Sequence, residues 1–316
     1  MKIIIRCGQE NLKSTNLQIY IPIFEEMWPL LKFFLTHYKS NSDFVEILTQ
    51  ILKNFMRAIR SEFKKYLQDY MNLILEGYKT DPISSYLYAF EVIATVFLDD
   101  YSVEPWLMIM FKELCLQTFN NYLTSSEDFE NNPTLSEDFF GLLFRMIRLT
   151  PRVVLDSELF ENLILVALQN IGISHPECAN NLISFLSKVV TFDEIKKVEE
   201  MDQSSIIKYT EKIKNIMKKY GDEFVSKIMN YLLTVPPNLI FENLKSLLLD
   251  LIQNYRENSI VWFTNSLKKI PPDCLTNTEK EKFIRTIENY NENRIEDIIE
   301  NFYKRSLSRL YRQKKL

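Results

Sequence analysis

A chain of 316 residues that is 46% hydrophobic and 13% aromatic carries enough apolar material for a sizeable core, which excludes disorder over most of its length. Only 5 glycines occur, well below the usual share of about 7% of residues, and this scarcity argues for helices over sheets and phosphate-binding loops. The formal net charge of −4 is modest for this length.

The dominant pattern is one amphipathic helix after another, separated by short polar or proline-bearing connections. Residues 22–38 place Phe24, Met27, Trp28, Leu31, Phe34 and Leu35 at helical spacings, with Pro29 positioned to kink the turn. Residues 42–60 follow, and 61–78, opening at Ser61, pairs with 82–98, opening at Pro82. A third couple joins 104–123 to the stretch "NPTLSEDFFGLLFRMIRLTP" at 132–151, where Thr134 and Glu137 have the spacing of a capping box and Pro151 ends the helix. A fourth couples 157–172 with 175–190. The mostly polar stretch 191–206 reads as a loop, the alternative being an acidic interaction motif, and helices resume at 211–233, 238–256, 259–269, 277–290 and 294–312.

Couples recur every 40 to 50 residues or so, the period of HEAT-type helical pairs. The expected fold is all-α: a HEAT-repeat α-solenoid, a right-handed superhelix of antiparallel helix pairs without β-sheet, forming one domain without a linker. A stacked pair touches its neighbours on both sides, which accounts for helices as broadly apolar as 132–151. The competing architecture is a compact all-α bundle.

The four cysteines, Cys7, Cys115, Cys178 and Cys274, form no CxxC pair and read as reduced, buried thiols rather than disulfides or metal ligands. The opening "MKIIIRCGQENLK" is too short in its apolar run for a signal peptide, and no window approaches a membrane span. Catalytic chemistry is not indicated, nor any cofactor or metal. The two histidines, His37 and His175, have no ligand-spaced partners, His175 ahead of Pro176 suits a helix cap, and the nucleotide and hydrolase motifs are missing. From Lys304 to Lys315 six bases occur without an acid, leaving 42 acids against 32 bases elsewhere, net −10. That balance disfavours direct nucleic-acid binding and suits basic protein partners. The basic end reads as a solvated last helix, with contact to an acidic partner or to the chain's own acids as the alternative.

Several stretches carry a family resemblance. "EMWPLLKFFLTHYKSNSDFVEILTQILKNFMRAIRSEF", "SSYLYAFEVIATVF", "NPTLSEDFFGLLFRMIRLTPRVVLDS", "HPECANNLISFLSKVV" and the closing "LSRLYR" resemble, in order and spacing over residues 20–312, the C-terminal third of transportin-3 and importin-13 type receptors of the importin-β superfamily. The resemblance implies a nuclear transport receptor, not an enzyme, that acts as a monomer and shuttles between nucleus and cytoplasm, mainly for import. Its partners would be protein cargo (RNA-processing or basic proteins), the GTPase Ran in the full-length receptor, and nuclear pore proteins, without membrane insertion. Residues 1–17 would be the remnant of a preceding repeat or loop and 18–316 the C-terminal solenoid. The chain would then be a fragment, an incompletely read gene or a shortened relative, whose first helices expose an apolar edge near Phe24 and Trp28.

Transportin-3 type receptors read arginine-serine segments through an arginine-rich helix whose basic positions fall here on Ile47, Gln50, Lys53 and Arg57, of which only the last two are basic. Lys53, Arg57 and Arg60 recur at helical spacing and are the candidate cargo-binding residues, on a face predicted to be shared. The departures at Ile47 and Gln50 lean toward the importin-13 side, and the plainer reading is three solvated bases. The other functional class left open is a HEAT-repeat scaffold for a multiprotein complex outside transport.

Overall fold

The computed structural model describes residues 17–192 and 201–313; among these it has fifteen helices and no strand. They divide into two compact units, one ending at Leu159 and one beginning at Phe160.

The first unit holds α1 (Leu17–His37), α2 (Ser42–Ala58), α3 (Arg60–Thr80), α4 (Ser84–Val96), α5 (Glu104–Asn121), α6 (Ser126–Asn131), α7 (Pro133–Leu149) and α8 (Pro151–Leu155). Two layers result: α1, α3, α5 and α8 pack in succession, as do α2, α4 and α7, while α1 meets α2 and α3 meets α4 across the layers. From α1 to α3 and from α3 to α5 the starts advance by 43 and 44 residues, the length of a HEAT pair. The second unit repeats the scheme with α9 (Phe160–Gln169), α10 (Pro176–Val190), α11 (Gln203–Leu233), α12 (Asn238–Asn254), α13 (Arg256–Lys269), α14 (Asn277–Glu288) and α15 (Glu292–Gln313). There α9, α11, α13 and α14 succeed one another, and α10, α12 and α15 form the second row. Each unit is thus a stretch of HEAT-type α-solenoid.

Local chemistry explains most boundaries. Asn41 caps α2 by accepting from the Phe44 N–H at 3.0 Å, and His175 caps α10, with Pro176 in the first helical position. Two sequence expectations are corrected. Thr134 and Glu137 do not form the capping box of α7: Pro133, which needs no N–H partner, takes the first helical position, and Asn132 becomes the cap without a side-chain bond. The box lies one helix earlier, where the Asp128 N–H donates to Ser125 Oγ at 3.3 Å and the Ser125 N–H donates back to Asp128 Oδ2 at 2.9 Å. The polar segment also ends sooner than 206, because Asp202 accepts from the Ser205 N–H at 2.9 Å and starts α11 at Gln203. Residues 193–200 of that segment, residues 1–16 of the expected remnant 1–17, Cys7, Lys314 and Lys315 lie outside the described residues, while Leu17 already belongs to α1.

Two glycines permit close packing inside helices. A Cβ at Gly77 would strike the ring of Tyr86, and one at Gly221 the ring of Trp262. At three junctions an aromatic hydroxyl then ties a helix to the main chain of the preceding pair. Tyr86 donates to the carbonyl of Lys39 at 2.7 Å, Tyr122 to that of Lys79 at 2.8 Å, and Tyr303 to that of Pro236 at 2.6 Å. Cys115, Cys178 and Cys274 are buried and outside any disulfide, and burial pushes the Cys115 thiol well above its ordinary pKa.

Candidate partner-binding surface

Charges on the row α1, α3, α5 are largely spent between helices. Lys65 reaches Glu25 at 2.9 Å and Lys32 reaches Asp69 at 2.9 Å, both joining α1 to α3; Lys64 pairs with Asp100. In the second unit Glu161 accepts from Lys219 at 2.8 Å and from the Tyr220 hydroxyl at 2.7 Å. The hydrogen bond from Lys65 holds the Glu25 carboxyl below its usual range, and that from Lys219 does the same for Glu161.

The row α2, α4, α7 differs, and it carries the predicted basic residues. Lys53 is half-buried and donates to Tyr88 Oη on α4 at 3.1 Å; at 5.5 Å from the ring centroid it sits at the hydroxyl end, a hydrogen bond rather than a ring-face contact. Arg57 is exposed one turn along. Arg60 does not share their face, contrary to the spacing argument: α2 ends at Ala58, Ile59 breaks it at φ −118° and ψ 29°, and Arg60 is the first residue of α3. The break is tertiary in origin, since Ile59 is fully buried and draws the chain into the core.

Two further bases on this row carried no functional reading from the sequence. Arg145 and Arg148 project from α7, the first 2.8 Å from a Glu91 carboxylate oxygen on α4 without a well-aligned N–H, the second exposed with its guanidinium 5.2 Å from the Phe144 ring. The three-residue spacing in "FRMIR" was the available signal. Lys53, Arg57, Arg145 and Arg148 therefore lie on the outer helices α2 and α7 of one row, with Tyr88 and Glu91 on the helix between them.

The apolar edge is also differently composed from the sequence expectation. Phe24 and Trp28 are buried, Phe24 lying 5.0 Å from Phe55, 5.1 Å from Phe63 and 5.0 Å from Tyr66 between ring centroids. The exposed apolar residues on α1 are instead Ile19 (59% exposed), Ile23, Leu30 (51%) and Phe33 (49%), with Ile47 exposed on α2. The basic end turns back on its own unit: Arg305 meets Glu279 at 2.6 Å, Arg309 meets Asp273 at 2.9 Å and Lys304 meets Glu300 at 3.3 Å. Among the described residues no group of His, Cys, Asp or Glu is arranged to hold a metal ion, and no helix is long and apolar enough to cross a membrane.

Comparison with known proteins adds resemblances to this geometry. Residues 20–122, the stretch from α1 to the end of α5, match the family model described as the transportin-3/importin-13 fourth TPR domain. Transportin MOS14 of Arabidopsis thaliana is 24% identical over 202 residues, covering 63% of this chain and 20% of that protein. The uncharacterized protein C11G11.07 of Schizosaccharomyces pombe is 22% identical over 176 residues, covering 54% of this chain and 18% of that protein. A solved structure of importin-13 in a cytosolic state superposes with a TM-score of 0.72 at 17% identity, covering 94% of this chain and 32% of the other. The chain thus spans about a fifth of the length of these curated relatives and about a third of the solved chain.

Proposed function

We propose that this chain, whose residues 20–122 are of the transportin-3/importin-13 type, is part of a karyopherin that carries protein cargo between cytoplasm and nucleus, mainly inward, under the control of Ran. The observation that carries the reading is the match over α1 to α5 on an uninterrupted two-row stack. Such a stack offers extended surfaces for a partner. Nuclear pore proteins are the further partners, and shuttling between the two compartments follows from the role.

Cargo binding is assigned to Lys53 and Arg57 on the first helix of the row α2, α4, α7 and, on a separate face, to Arg60 in the first turn of α3. Exposed Arg57 is free to make charge-assisted hydrogen bonds to an acidic or phosphorylated segment, each worth about 1.5–3 kcal/mol when well formed. Lys53 acts partly through Tyr88, whose ring it positions. The binding test uses the protein at its full natural length. Ran loaded with GTP should bind it and release bound cargo, whereas Ran loaded with GDP should do neither; cargo binding indifferent to both would overturn the transport reading. Within a receptor that passes, Arg57→Glu and Arg60→Glu should weaken an acidic cargo while leaving thermal melting unchanged. Full cargo affinity in both variants would remove the site and leave the transport reading standing.

A further inference from the structure

Helices α2, α4 and α7 run parallel in their row. Ser42 on α2 meets Ser85 on α4 at 3.1 Å, and further along both helices Lys53 meets Tyr88. Ser84 on α4 bonds Asp138 on α7, and two turns further along both helices Glu91 meets Arg145. Parallel helices bring like ends together, and here the ends differ in charge. The first halves of α2 and α7 carry Asp43, Glu46 and Asp138, whereas Lys53, Arg57, Arg145 and Arg148 all lie in the second halves. Arg57 and Arg148 stand in the last turns, where the helix dipole favours cations. A basic band therefore crosses the row along one edge.

The band has two anchors and a divide. Arg57 and Arg148 are exposed, and among the described residues neither forms an ion pair. Between them α4 contributes Tyr88 and Glu91, three residues apart on one helix side, so that Lys53, Tyr88, Glu91 and Arg145 touch in succession. Packed helix axes lie about 8–10 Å apart, which sets the anchors on α2 and α7 about 16–20 Å apart, the length of about five or six extended residues. The anion seated on this band is a carboxylate, that of Glu91 against Arg145, and its charge repels a further anion at the middle. A nucleic-acid strand, charged at every nucleotide, could not avoid Glu91. We infer that the edge formed by Lys53, Arg57, Arg145 and Arg148 is a docking surface for a carboxylate-rich segment of a protein partner, extended across α4, with two acidic clusters about five residues apart and no acid between them. This rests on the cargo-binding assignment of Lys53 and Arg57, to which it adds α7, and it does not need Ran.

The test uses the full chain and two synthetic peptides of equal charge, one with its glutamates split into two clusters by about five neutral residues, the other with them contiguous. By fluorescence anisotropy the split peptide should bind about tenfold more tightly. Arg57→Gln and Arg148→Gln, both at exposed positions, should each bring the split peptide down to the level of the contiguous one with the melting curve preserved. Glu91→Gln should raise the contiguous peptide to within about threefold of the split one, because the repulsion at the divide is gone. Arg285→Gln, at an exposed site on α14, should change nothing and serves as the control. Equal binding of the two peptides, or no binding of either, would overturn the assignment. Weakening by Arg57→Gln with none by Arg148→Gln would overturn the two-anchor surface and leave the site on α2 standing. Tighter binding of a phosphoserine peptide or of a single-stranded oligonucleotide, each at matched charge, would overturn the carboxylate class. Release by Ran is read in a separate assay, so the two readings can fail independently.

Discussion

At the scale of single residues, the closest packing sits where a helix lacks a side chain. Ordinarily Gly→Ala inside a helix gains up to about 1 kcal/mol, but at Gly77 the new methyl meets the Tyr86 ring, which is pinned through its hydroxyl to the Lys39 carbonyl. Gly77→Ala should therefore destabilise by about 1–3 kcal/mol in urea denaturation. The same substitution made in a Tyr86→Leu background, with the ring removed, should be neutral or stabilising. A second residue-scale expectation concerns Glu279. The Arg305 hydrogen bond, helped by the Thr276 hydroxyl and N–H, lowers its pKa from 4.5 to about 2. Because the folded state favours the charged form, this contribution is complete above 4.5 and is lost as pH falls from there toward about 2. Glu279→Gln should flatten that part of the stability–pH curve and leave the neutral region's slope unchanged.

Among elements, the helices with strong periodicity were legible, as was their coupling in HEAT-length pairs. What could not be read was governed by tertiary contact or by competing caps. Nothing in "KNFMRAIRSEF" signals a break, because no glycine or proline interrupts the helical pattern; a buried isoleucine makes the turn, and Arg60 is carried off the face of Lys53 and Arg57. The short helices α6 and α8 lack a full amphipathic period, so only their caps could have revealed them. The rival boxes are separable by mutation. Ser125→Ala or Asp128→Ala should cost about 1 kcal/mol and Thr134→Ala close to nothing, measured as shifts in the thermal midpoint. Asp202→Ala should cost a similar amount and fray the start of α11. Of the candidate surface, the bases on α2 were legible from spacing, while the exposed stripe of α1 was masked by its greasier opposite side.

Over the molecule, stability in a stacked array is a sum of repeat and neighbour terms, so a helix with neighbours on both sides should open last. In the first unit α3 packs on α1, α2, α4 and α5, whereas α1 packs chiefly on α2 and α3. Hydrogen exchange should accordingly be faster for the interior amides of α1 than for those of α3. The tyrosine ties add something of another kind. In each, the donor is a particular ring but the acceptor is a main-chain carbonyl, at Lys39, Lys79 and Pro236, which every amino acid supplies. Half of each joint is therefore indifferent to mutation. A lineage can exchange the connecting residues freely and keep the spacing of its pairs, provided it keeps the ring and the length of the connection. Drift under such a rule erodes sequence identity much faster than it moves helices, and a chain at 17% identity can still superpose with a TM-score of 0.72.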